Sequence, residues 1–283
     1  ELITGIDLVH LMINIAEGKK LNLKQENINF KGSAIEARIY AEDSSRNFLP
    51  SIGRLTRYIE PSSKGIRIDS GVVEGSEISM YYDPMISKLC VHGKDRKSAI
   101  ESMINALDRY LIDGVKTNRD FLSSILQNEN FIKGRFSTDF IGKNYADGYN
   151  SEEAETDYFD EICAIVTFVH YKYMQRAASI SNQVKGFNRM IGSKWNVITS
   201  QKKIKTKISF NAYNKNYDLY VKNKYFKVKS DWKIGFPLLS ALIDNKVLYF
   251  EVSRNGPRYT ITHKSTKMTM IVLSNEHTAL NSL

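Results

Sequence analysis

The sequence predicts an α+β chain built in two parts, and three observations carry that expectation. Helix-like and strand-like periodicities alternate through residues 1–143; a single long apolar helix pattern then gives way to a run of short strands; and the charge balance reverses between the two. With 283 residues, 42% of them hydrophobic and 25% charged, the chain has enough apolar side chains to give each part its own core. Soluble domains usually hold roughly 100 to 200 residues, so two are expected.

A first helix is expected over Thr4–Glu17, where Leu8, Leu11, Met12 and Ile15 fall on one face and Gly18 can end the last turn. Extended runs follow at Ser33–Ala41, Leu55–Ile59, Gly65–Ile68 and Ile86–Val91. In the first of these Glu36, Arg38 and Tyr40 share one face and Ile35, Ala37 and Ile39 the other, the alternation of a strand buried on one side. Two amphipathic helices close the part: Arg96–Tyr110, with Ile100, Met103, Ile104 and Leu107 together, and Asn118–Leu126. Residues 144–157 are acidic and turn-rich and are expected to be a linker.

The second part, 158–283, opens with a helix pattern from Tyr158 to about Gln183, in which Ile162, Ile165, Val166, Val169, Tyr173 and Ala177 recur at helical spacing. About eight short strands follow. Ile204, Thr206, Ile208, Phe210 and Ala212 alternate with polar neighbours, as do Leu248, Phe250 and Val252; Asp244-Asn245 and Asn255-Gly256 read as tight hairpin turns. A helix this apolar needs cover on most sides, and a curled antiparallel sheet supplies it.

Several classes of function are disfavoured by the same residues. Cys90 and Cys163 lie far apart inside apolar runs and match neither a metal spacing nor a disulfide framework, so both are expected to be reduced core residues. The apolar stretch Ile162–Val169 is far short of the roughly 20 residues that cross a bilayer, and no signal peptide is recognisable. His10, His92, His170, His263 and His277 form no constellation, and the first part shows no nucleophile with a base, no metal-ligand cluster and no glycine-rich phosphate loop. Residues 1–157 carry 20 Lys and Arg against 24 Asp and Glu, whereas 158–283 carry 20 against 7, a net +13. A basic, tyrosine-rich module invites a nucleic-acid reading. The lysines of Gln201–Lys207, however, alternate with Ile204 and Thr206 as on any half-buried strand, and no nucleic-acid-binding phrase accompanies them.

Three phrases narrow the reading: Gly32-Ser-Ala-Ile-Glu-Ala-Arg-Ile-Tyr-Ala-Glu-Asp43, Tyr81-Tyr-Asp-Pro-Met-Ile-Ser-Lys-Leu89 and Asp113-Gly-Val-Lys-Thr-Asn118. With Thr4-Gly-Ile-Asp-Leu8 and Phe48-Leu-Pro-Ser-Ile-Gly53 they resemble, in order and nearly in spacing, the C-terminal part of biotin carboxylase, an ATP-grasp enzyme, over residues 1–143. The resemblance implies ATP- and bicarbonate-dependent carboxylation of biotin held on a carrier domain, with Mg in the complete enzyme. It further implies that Arg38 is catalytic, its guanidinium stabilising charge on the biotin oxygen as N1 loses its proton. Glu36, Arg67 and Asp83 are implied in the biotin-site or dimer-contact neighbourhood, Thr138 in that of the nucleotide, and self-association is expected through this domain. The lid, the lysines and the metal-binding carboxylates of the family match nothing in this sequence, so the 283 residues alone are expected to be inactive.

Ser230-Asp-Trp-Lys-Ile-Gly235, Pro237-Leu-Leu-Ser240 and the strand pair around Asp244-Asn245 resemble the middle domain of propionyl-CoA carboxylases, a long helix wrapped by an antiparallel β-barrel. That resemblance implies docking onto a carboxyltransferase subunit. The methylcrotonyl-specific and other acyl-CoA carboxylases remain the alternative, and a basic nucleic-acid-binding module is the rival from another class. Lys267 lies in Ser-Thr-Lys-Met-Thr-Met270, a poor match to a biotin-bearing turn, and is read as a turn or edge-strand lysine. The family implies a cytoplasmic location in bacteria and the mitochondrial matrix in eukaryotes.

Overall fold

The computed structural model describes residues 1–146, 148–150, 157–179, 186 and 190–280. Its contacts divide the chain into two compact units, Glu1–Tyr149 and Asn150–Leu283. Much of the acidic stretch 144–157 lies outside the described residues.

In chain order the first unit holds α1 (Leu8–Ala16), β1 (Ser33–Tyr40), β2 (Glu42–Asp43), β3 (Leu49–Pro50), β4 (Gly53–Arg54), β5 (Arg57–Ile59), β6 (Ile66–Ser70), β7 (Glu77–Ile78), β8 (Met85–Gly93), α2 (Arg96–Arg109), β9 (Leu111–Asp113), α3 (Arg119–Gln127), α4 (Glu129–Ile132) and α5 (Phe140–Asn144). Its main sheet is antiparallel, with β8 between β1 and β6. One face is covered by α2, whose Ile100, Met103, Ile104 and Leu107 pack with Ala37, Ile39, Leu89 and Val91 in one core. The helix starts where Asp95 and Ser98 form a reciprocal capping box, satisfying donors that the first turn leaves without intrahelical partners.

Local chemistry explains two departures from the expected elements. The first helix begins at Leu8 instead of Thr4 because the Asp7 carboxylate accepts the His10 N–H at 2.8 Å and caps it there. None of its residues is buried. The run Leu55–Ile59 is broken: β4 pairs with β7 and β5 with β9, while Leu55 turns inward between them and is fully buried.

The second unit is α6 (Phe159–Ala178) inside a closed antiparallel barrel of β10 (Lys194–Ile198), β11 (Lys203–Asn211), β12 (Asn216–Val221), β13 (Lys224–Lys229), β14 (Leu238–Ile243), β15 (Lys246–Asn255), β16 (Arg258–His263) and β17 (Thr266–Leu273), followed by α7 (Asn275–Leu280). Ile162 to His170 are buried without interruption, so the helix is enclosed on every side along this stretch. Closure comes from β10 pairing with β17, which leaves no open edge. The helix pattern expected to about Gln183 stops at Ala178, and 180–183 lie outside the described residues.

Three details of the barrel correct the sequence reading, at Phe210, Asn255-Gly256 and Lys267, and one agrees with it, at Asp244-Asn245. The alternation from Ile204 holds through Ile208, but Phe210 is exposed as β11 runs past the wall it shares with the helix. Asp244 and Asn245 both take positive φ, 48° and 68°, as the two-residue turn between β14 and β15 requires. The next hairpin is shifted by one residue: Asn255 pairs with Arg258, so Gly256 and Pro257 make the turn. Lys267 lies within β17 opposite Thr262 in the closed barrel, so it is on neither a turn nor an edge strand.

Candidate functional site

On β1 the alternation expected from sequence is realised: Ala37 and Ile39 are buried, while Glu36 and Arg38 stand on the open face of the sheet. Register carries that face across the three strands. Glu36 lies opposite Cys90, which lies opposite Arg67; one step along, Arg38, Lys88 and Asp69 form a second row. Opposite charges pair along the outer strands, Arg38 with Glu36 and Arg67 with Asp69, and Asp69 faces Lys88 across the sheet, whereas Arg38 and Lys88 face each other as like charges.

The Arg38 Nε donates to Glu36 Oε1 at 3.1 Å. Glu36, and after it the Tyr40 side chain, holds the already high guanidinium pKa higher still, so the positive charge is permanent. Glu36 Oε2 is also 3.9 Å from Cys90 Sγ, whose thiol is pushed up by burial and then by the Glu36 charge, which makes it a packed neighbour and not a nucleophile. Arg67 donates to Glu1 Oε2 at 2.7 Å and to Asp69 Oδ2 at 3.2 Å, and the Arg67 bond holds the Glu1 carboxyl below its usual range. Glu36, Arg38 and Arg67 thus share one surface.

The other two sequence candidates are not among these hydrogen bonds. Asp83 Oδ1 accepts the Met85 N–H at 2.8 Å, closing the turn into β8, and the Asp83 charge adds to burial in raising the Glu42 carboxyl pKa. Thr138 is exposed in the turn before α5. Among the described residues it has no hydrogen bond to the charged sheet face. Residue-by-residue reasoning passed over Tyr40 and Asn118, although both stand inside the phrases that were singled out. Among the described residues no group of three or more His, Cys, Asp or Glu could hold a metal ion, and no helix is long and apolar enough to cross a membrane.

What this surface can do chemically follows from its fixed charge. A half-exposed guanidinium anchored by a carboxylate keeps donors available for an incoming carbonyl or oxyanion, and it cannot lose its proton while stabilising one.

Comparison with known proteins matches both units. Residues 36–143 fit the biotin carboxylase C-terminal domain, and residues 162–283 the propionyl-coenzyme A carboxylase BT domain. The propionyl-CoA carboxylase alpha chain of Ruegeria pomeroyi is 34% identical over 274 residues, covering 90% of this chain and 40% of that protein. The mitochondrial human alpha chain is 38% identical over 244 residues, 85% of this chain and 33% of that protein. The chain therefore spans well under half the length of these relatives. Among solved structures, the biotin carboxylase domain dimer of Hydrogenobacter thermophilus 2-oxoglutarate carboxylase, in complex with MgADP, ADP and bicarbonate, superposes with a TM-score of 0.50. It is 42% identical and covers 50% of this chain and 32% of that one.

Proposed function

Since the chain belongs to the biotin carboxylase and propionyl-CoA carboxylase alpha family, carrying the C-terminal domain of the one and the BT domain of the other, we propose that it forms part of the biotin-carboxylating subunit of a propionyl-CoA carboxylase. The single observation that carries the chemical half of this reading is the placement of Arg38: on the open sheet face, held by Glu36, in the strand whose other face is core.

In this reading biotin is a substrate brought in on a carrier domain, and its ureido oxygen meets the Arg38 guanidinium. Negative charge gathers on that oxygen as N1 gives up its proton. A preorganised cation at that point stabilises the charge as it develops and needs no reorganisation to do so. Glu36 keeps the guanidinium from swinging away, and the Arg67 cluster belongs to the surrounding surface or to the contact between two copies. ATP, bicarbonate and magnesium are assigned to other parts of the enzyme. The second unit presents the carboxylase to the carboxyltransferase subunit.

Two measurements test this reading. In the complete subunit, Arg38→Ala should lower biotin-dependent ADP release by about 10²- to 10³-fold, the usual loss on removing one preorganised charge donor, while the KM for ATP stays unchanged; undiminished turnover overturns the assignment. The 283-residue chain should co-sediment with the carboxyltransferase subunit, and its failure to do so overturns docking.

A further inference from the structure

The open edge of β1 is not open at Arg38. Because β1 lies at the end of the sheet order, the backbone groups of its even-numbered residues near the strand's end point away from β8 and need other partners. Asn118 supplies partners for three of them. Its Oδ1 accepts the Tyr40 N–H at 3.0 Å, its Nδ2 donates to the Arg38 carbonyl at 3.1 Å, and its own N–H donates to the Tyr40 carbonyl at 3.2 Å. The residue acts as a one-residue strand laid against the edge.

Its place matters because the pairing of β1 with β8 slips at this point, with a register irregularity between Ile39 and Tyr40. Beyond the irregularity the ladder no longer fixes how the backbone is rotated, and that rotation sets where Arg38 and Tyr40 point. Asn118 bridges it from the other side. It is 7% exposed, so its amide is shielded from water and both of its side-chain bonds are ones the fold must satisfy. Asn118 itself is the residue before α3, and its side chain is not part of the apolar packing: the core beneath is closed by Ile39 and the α2 side chains.

From this geometry, and resting on the functional reading above, we infer that Asn118 is a positioning residue for the biotin-carboxylation chemistry: it fixes the β1 backbone on both sides of Ile39 so that the Arg38 guanidinium, with Glu36 and Tyr40, faces the substrate. Asn118 does not touch substrate; it acts through Arg38. A displacement of about 1 Å at a reacting group can cost on the order of 10²-fold in rate, and loss of the Asn118 amide is expected to act on that scale.

The test is a double-mutant cycle in the complete subunit, read as ADP release with free biotin, ATP and bicarbonate, paired with amide exchange in the 283-residue chain. Asn118→Ala should lower kcat on the order of 10²-fold without changing the KM for ATP, and should cost nothing further once Arg38→Ala is present. Equal losses in both backgrounds would show a merely structural residue and overturn the inference. Asn118→Asp keeps the side-chain volume and the acceptor for Tyr40, but turns an oxygen toward the Arg38 carbonyl. It should preserve the slow exchange of the Tyr40 amide while still lowering kcat, whereas Asn118→Ala should speed that exchange at least about tenfold. Unaltered protection of the α2 amides shows that both variants are folded, and unaltered Tyr40 exchange in Asn118→Ala overturns the inference whatever the rates. If Arg38→Ala alone leaves ADP release intact, the functional reading fails, and the exchange measurement separately decides whether Asn118 holds the strand.

Discussion

Acidification from about pH 7.5 to about pH 5 should weaken the second unit by about 2 kcal/mol through His170 alone. The imidazole is 8% exposed, with Nδ1 3.0 Å from the Tyr259 hydroxyl and its ring edge-on to Trp195 at 4.5 Å between centroids. Burial, and after it the Arg254 charge that stacks over Tyr173 and Tyr259, lowers its pKa from 6.5 to about 4. The fold therefore prefers the neutral ring. The stability this contributes is complete above the unfolded value of 6.5 and drains away as the pH falls toward 4. The full loss at the acid end is about 3 kcal/mol, at about 1.4 kcal/mol per pKa unit, and about two-thirds of it has been spent by about pH 5. Trp195 and Trp232, the chain's two tryptophans, both lie in the barrel, so tryptophan fluorescence in a urea titration reports this unit alone. The measurement is the difference in unfolding free energy between the two pH values, for the parent chain and for His170→Gln. The variant's difference should be smaller by about 2 kcal/mol, whatever its absolute stability. An equal difference in both would refute the argument that the buried imidazole is held neutral.

Two further substitutions address the first unit. Gly114 has φ 103°, and a Cβ there would lie 2.0 Å from the Arg54 carbonyl oxygen, so Gly114→Ala should destabilise by more than about 3 kcal/mol, read as the urea midpoint by circular dichroism. Removing the α2 cap with Asp95→Ala frees the Ser98 N–H and should cost about 1 kcal/mol, seen in the same transition with no change in its slope.

The sequence disclosed the site in proportion to how local its causes are. The face carrying Glu36 and Arg38 follows from period-two alternation in one strand, so it was readable directly. The enclosed helix was readable too, because apolar residues from Ile162 to Val169 leave no polar face for solvent. Which residues stand beside Arg38 depended on register. That Cys90 falls between Glu36 and Arg67 is set by how β8 aligns with both neighbours, and no pattern within β8 states it. The Asn118 contacts span 78 and 80 residues of sequence. The phrase around Asn118 marked the residue, but only the fold shows what it bonds. Thr138 and Asp83 were placed by resemblance alone; Asp83 holds Met85, the partner of Tyr40 at the end of β1, and Thr138 stands in the turn before α5.

The basic charge of the second part looks, as a count, like an address for a partner. The barrel gives it a simpler origin. Its inner positions are consumed in enclosing α6, so Ile204, Thr206 and Ile208 point inward, and Lys203, Lys205 and Lys207 have only the outside available. A lysine-rich chain folded this way is basic over its exterior whether or not anything acidic meets it. Lys222 and Lys224 show the charge also at work within the unit, pairing with Asp160 at 3.5 and 3.0 Å beside the start of the helix. The salt dependence of carboxyltransferase association therefore separates the two origins. If the exterior lysines steer the encounter, the association rate falls steeply as salt rises while dissociation hardly changes. If they only clothe the barrel, both rates stay flat as salt rises.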